Sequence, residues 1–241
     1  MALPLRRSRD AFLLTGVLLC AFLLPISAAP PPRKGKITRD AADILSQMNE
    51  TAKHLKTVTA NLDYTTVTVL VNDKSTETGQ LYFRNGKNPE ILIEFQIPDQ
   101  KTILFKKNKA EYYLPKINQI QEFNLEQKSG LVQEFLLLGF GSEISELRKS
   151  YNIKYLKEEE LEGNSTAVLE LTPHKQSVAQ QLTKVQIWVS EDSWLPAQQQ
   201  CFEPGGNYLI ARYSSVKVNR PIDPSTFELH PAKGAKRVKM N

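Results

Sequence analysis

A chain of 241 residues, 41% hydrophobic and 24% charged, with a formal net charge of +5, is long enough for one large domain or two small ones around a hydrophobic core. The charge is mild, and the lysines are spread along the chain, thickening in "KKNK" (residues 106–109) and in the terminal "KGAKRVK"; nucleic acid is a poor match for that pattern, whereas an anionic headgroup or an acidic protein surface fits it. Two cysteines and three histidines make neither a disulfide framework nor a metal-ligand spacing, so no metal and no cofactor is expected.

The first segment reads as a secretory signal over residues 1–28. Arg6, Arg7 and Arg9 precede an apolar run from Ala11 to Leu24, and small residues follow, which is the three-part pattern of a cleavable leader. Cleavage after Ala28 avoids placing Pro30 directly after the cut. The competing reading is an uncleaved anchor, because Ala11 to Ala28 approaches the lower length of a spanning helix. Processing removes Cys20 and leaves Cys201 alone, so a packed core and not a staple must hold the fold. Residues 29–39, with "APPPRKGK", form a stiff, charged spacer with nothing to bury.

One domain is expected over residues 40–241. Asp40 is placed to cap a helix whose apolar residues Ala41, Ile44, Leu45, Met48, Ala52 and Leu55 recur at three- and four-residue spacings. From Val58 the period falls to two. Val58, Ala60, Leu62 and Tyr64 alternate, and after Thr65-Thr66 the residues Val67, Val69 and Val71 continue in the opposite phase, which predicts a bulge or bend within one long strand. Short runs follow, divided by "RNGKNP", "IPDQ" and "KNKA". Ile91, Ile93, Phe95 and Ile97 share one face of theirs, and Leu92, Glu94 and Gln96 the other; Ile103 with Phe105 and Tyr112 with Leu114 repeat the pattern. This is an antiparallel meander with one apolar and one wet face.

Between Ser129 and Tyr151 the helical period returns, with Leu131, Phe135 and Leu138 in one segment and Ile144 and Leu147 in the next. Strands resume to the C-terminal region, with hairpin turns at Glu162-Gly163-Asn164, Asp192-Ser193 and Gly205-Gly206. About ten strands and three helices, in blocks and not in alternation, exclude a doubly wound fold. The fold class is mainly β with helices (α+β): a strongly curved antiparallel sheet, or half-open barrel, with a helical lid over its apolar concave face.

The N-terminal helix, the run from "TGQLYFRNGKNPEILIEFQIPDQ" to "INQIQEF", "LLLGFGSEISELRKSY", "IWVSEDSWLPAQQQ" and "NRPIDPSTFELHPAKGAKRV" resemble, in that order, the LolA family of periplasmic lipoprotein carriers over most of residues 40 to 238. No single motif is diagnostic; the order carries the resemblance. It implies a bent sheet whose concave side holds acyl chains of a lipoprotein or lipid, a monomeric carrier working in the periplasm, and partners in an inner-membrane release complex and an outer-membrane acceptor. On the residues of this chain, the cavity and lid would comprise Leu81, Phe83, Ile91, Ile93, Phe95, Ile103, Phe105, Leu131, Phe135 and Leu138. Pro89, Glu94 and Phe95 match the family's third strand, but Leu92 and Ile93 stand where arginine and tryptophan are usual, and Asn88 where an arginine is associated with holding the lid closed. Arg84 is nearby and either substitutes for it or does not.

Two other readings remain beside the carrier. The apolar residues are equally read, one by one, as permanent core, and Tyr112, Tyr113 and Trp188 as core or rim aromatics. A lipid-sensing regulatory or partner-binding module on the same fold is the alternative function, although such proteins carry a second domain. An enzyme is not expected: His54, His174 and His230 are scattered, and the chain has neither a nucleophile elbow nor a phosphate-binding glycine loop. Cys201 reads as a small buried apolar residue.

Overall fold

The computed structural model describes residues 40–125, 140 and 144–240. The signal, the proline-rich spacer and most of the helical insertion that the sequence predicts lie outside the described residues. The described part begins with α1 (Ala41–His54). Its start is fixed by a capping box: Asp40 accepts from the Asp43 amide at 2.9 Å and the Asp43 carboxylate accepts from the Asp40 amide at 3.3 Å, which satisfies two amides that the first turn leaves open. Its end is tied to the sheet by Asn219, whose side chain accepts from the Lys56 amide (2.7 Å) and donates to the His54 carbonyl (2.9 Å).

Twelve strands make one curved, unclosed sheet. They are β1 (Thr57–Thr68), β2 (Asp73–Arg84), β3 (Glu90–Ile97), β4 (Lys101–Lys106), β5 (Lys109–Leu114), β6 (Gln119–Asn124), β7 (Tyr151–Leu161), β8 (Asn164–Pro173), β9 (Lys184–Ser190), β10 (Pro196–Phe202), β11 (Tyr208–Val218) and β12 (Lys236–Met240), with α2 (Ile144–Ser150) before β7 and a single turn, α3 (Gln176–Ala179), between β8 and β9. Their order is β12-β6-β5-β4-β3-β2-β1-β11-β10-β9-β8-β7. Two antiparallel meanders thus meet where β1 pairs with β11. The sheet exceeds the about ten strands expected, and it is not purely antiparallel, because β12 adds to β6 in parallel. The half-open barrel and its concave-side helix are as the periodicity predicts.

Three local expectations are corrected. Val69 and Val71 do not continue β1. With Leu70 they form a 3₁₀ turn at the tip of the β1–β2 hairpin, closed by Asn72 in the left-handed region (φ 49°) and exposed at 51%, 93% and 68% in chain order; alternation over three residues does not distinguish a strand from a turn. The bulge in β1 lies earlier, between Thr59 and Asn61 against β11. Ile97 leaves the apolar face, because the register slips between Thr78 and Gly79 and such a slip turns the following residue outward.

The expected wet face is also part core. Leu92 and Leu104 sit on the opposite face from Ile91 and Ile93, yet both are buried against Phe227, with Ile222, Leu229 and Tyr82 around them. The segment after β11 covers this convex face, and a 3₁₀ turn at Pro224–Phe227, capped by Asp223 onto the Ser225 amide at 2.9 Å, presents Phe227 to it.

Candidate functional site

Period-two alternation across paired strands produces rows of side chains on one face. One row runs Val58, Phe83, Ile91, Phe105, Ala110 and Phe123 from β1 to β6, and the next runs Ala60, Leu81, Ile93, Ile103 and Tyr112. Phe95 begins a third row beside Gly79 and Leu62. The structure therefore brings Leu81, Phe83, Ile91, Ile93, Phe95, Ile103 and Phe105 onto one continuous concave surface, and all seven belong to the main core cluster. Leu131, Phe135 and Leu138 lie outside the described residues.

This surface is covered from α1 by Ile44, Leu45 and Met48, from α2 by Leu147, and by Phe140. The Phe140 ring stands 6.2 Å from that of Phe83 and 5.1 Å, edge to face, from that of Tyr213, so it bridges the two meanders across the concave side. Sequence reasoning passes over Phe140. Its signal is an aromatic residue set between Gly139 and Gly141 next to a helix start, but helical periodicity does not pick out a residue that no helix contains. The half-buried Tyr64 and the buried Tyr213 on this side are held neutral: desolvation pushes both phenols up, and Tyr213 donates to Gln199 Oε1 at 2.8 Å. Cys201 is buried in the same cluster, and burial likewise raises its thiol, which makes it inert packing.

At the β2–β4 rim the charges are paired. Lys101 Nζ lies 4.7 Å over the Phe95 ring and 2.7 Å from Glu77. Arg84, the candidate substitute for the family's lid arginine, is on the convex face: its guanidinium stacks 4.3 Å over Phe227 and binds Glu90. It has the wrong side of the sheet for locking anything over the concave face. Burial raises the Glu90 carboxyl, but the hydrogen bonds and charges of Lys106 and Arg84 outweigh it and hold the group below the ordinary value. Trp188, read as core or rim, is buried and donates to Glu159 Oε2 at 3.0 Å.

Among the described residues there is no group of three or more His, Cys, Asp or Glu side chains that could hold a metal ion, and no helix long and apolar enough to cross a membrane. What the site offers chemically is apolar surface, with α1, α2 and Phe140 as its present cover.

A half-barrel with an apolar concave face under a helix defines the class: the fold is LolA-like, as the sequence resemblance implies. A family model whose description reads "-like: Uncharacterized protein" matches residues 88–218, and the chain belongs to that family. No curated protein matches the sequence. Among solved structures, an uncharacterized conserved protein from Thermus thermophilus is similar at 11% identity and a TM-score of 0.54, covering 83% of this chain and 99% of that one. MucB is similar at 13% identity and 0.51, covering 79% of this chain and 62% of its own. A LolA superfamily protein from Nitrosomonas europaea is 17% identical with a TM-score of 0.39, covering 79% and 98%. For the Thermus protein and MucB, at these identities, the likeness is one of fold.

Proposed function

We propose that the protein is an exported carrier that takes up the acyl chains of a lipoprotein or lipid on its concave face and shuttles them through the periplasm toward the outer membrane. The observation that carries this reading is the joining of Leu81, Phe83, Ile91, Ile93, Ile103 and Phe105 into unbroken cross-strand rows that are covered by α1, α2 and Phe140 instead of a second sheet. A cover of that kind can be exchanged. Each buried methylene contributes about 0.8 kcal/mol, so a chain of about fifteen gains on the order of 12 kcal/mol gross. Displacing Ile44, Leu45, Met48 and Phe140 from the same surface opposes that gain, which brings affinity into a range where release is possible. The protein works as a binding protein, not an enzyme.

A partner-binding module is the second reading, and the fold likeness to MucB is the observation on its side. Extraction of the protein purified from the periplasm, followed by mass spectrometry, separates the two. The carrier reading expects acyl lipid or lipopeptide in near-stoichiometric amount. Protein that is lipid-free, and that takes up no diacyl lipid from vesicles, would refute it.

A further inference from the structure

Beside the concave core lies a groove of about 860 Å³ between α1, the turn joining β2 to β3 and α2, a volume in the range of small-ligand sites. Its floor is apolar, with Leu45, Ala52 and Pro89, and its rim carries Lys53, Lys87 and Arg148 with the hydrogen-bonding side chains Ser46 and Asn49. Among the described residues, no aspartate or glutamate lines it. Lys53 is held by Glu50 at 2.7 Å, whereas among the described residues Lys87 and Arg148 have no carboxylate partner. Lys87 and Arg148, two cations without a carboxylate partner among the described residues, make a field that favours an anion, and the guanidinium fork suits phosphate oxygens. Leu45 links floor and core: it lines the groove and is also 3% exposed in the main concave cluster.

An apolar floor continuous with the proposed chain site, under a cationic rim, is the arrangement an anionic amphiphile needs. Resting on the carrier reading, we propose that this groove is the headgroup site for an anionic phospholipid, its phosphate held by Lys87 and Arg148 while its chains pass under α1. The site thereby selects among lipids with identical chains by their phosphate.

The test compares, on the delipidated protein, retention of dipalmitoyl phosphatidylglycerol, dipalmitoylglycerol and inorganic phosphate. Phosphatidylglycerol should bind about tenfold more tightly than dipalmitoylglycerol, the difference expected of one or two charge-assisted contacts, and the margin should shrink as salt rises. The double variant Lys87→Glu, Arg148→Glu should bring phosphatidylglycerol down to the level of dipalmitoylglycerol and leave the latter unchanged; both side chains are exposed, and circular dichroism checks the fold. The single variant Lys87→Gln should produce a smaller loss in the same direction. Equal retention of both lipids by wild type and variants would overturn the headgroup site and leave the carrier reading standing. Phosphate bound alone, with neither lipid retained, would overturn the site as a lipid site and the carrier reading with it.

Discussion

Replacing Phe140 by alanine separates a cover that competes with ligand from a wall that contacts it. The ring is 2% exposed and touches Phe83 and Tyr213 from opposite meanders, so its removal from a site that cannot fully collapse costs the empty protein about 3 kcal/mol. For a domain of this size that is a fall in Tm of about 6–12 °C. If acyl chains displace the ring, most of that loss is absent from the bound state, and the same energy reappears as tighter binding: even half of it, about 1.4 kcal/mol, is tenfold in Kd. The assay is a thermal melt of the delipidated protein together with equilibrium transfer of a fluorescent diacyl lipid from vesicles. A variant that melts lower and binds more tightly supports an exchangeable cover. A variant that melts lower and binds more weakly would make Phe140 part of a fixed wall and refute the competition.

The remaining predictions concern faces, close approach, acid stability and processing. Ile93→Asp, on the concave face, should abolish lipid retention, whereas Glu94→Ala, exposed on the other, should leave it intact; circular dichroism must first show that the aspartate variant folds, since a buried charge costs several kcal/mol. Gly79→Ala should destabilise by about 3 kcal/mol or more in denaturant titrations, because a Cβ there would meet the Glu94 carbonyl oxygen at 2.1 Å and backbone cannot yield as a side chain does. Glu90 has a lowered folded pKa, so its contribution is present above the ordinary value of 4.5 and is lost as pH falls through the folded one. Glu90→Gln should therefore cost about 1–3 kcal/mol at neutral pH and nothing in strong acid, measured by urea unfolding across that range. Protein recovered from the periplasmic fraction should begin at Ala29 by N-terminal sequencing; recovery of the intact terminus in the membrane pellet would contradict cleavage.

What can be read from the sequence is local. The capped helix at Asp40 and the alternation of Ile91, Ile93 and Phe95 depend on neighbours three or two residues away, and both are found as expected. Leu92 and Leu104 read as part of a wet face because their cover, Phe227, lies more than a hundred residues on, and pattern alone does not reveal a partner at that distance. Strand β12 escapes notice because all five of its residues are exposed, leaving no buried phase to detect. Ile97 fits the alternation and fails in space, since the slip at Gly79 depends on the register between two strands and not on either one's composition. Of the candidate site, seven residues come together on the concave face; the cover they share with Phe140 depends on packing across two meanders.

Photo-crosslinking tests the central claim most directly. A diacyl phospholipid carrying a diazirine near the end of one chain is loaded onto the protein, irradiated, and the modified peptides are identified by mass spectrometry. The account predicts adducts on the β2–β4 peptides that contain Leu81, Phe83, Ile91, Ile93, Ile103 and Phe105, with modification at the concave side chains, and loss of those adducts in Ile93→Asp. Adducts concentrated on the convex residues around Leu92, Leu104 and Phe227, or spread evenly over exposed surface, would contradict it.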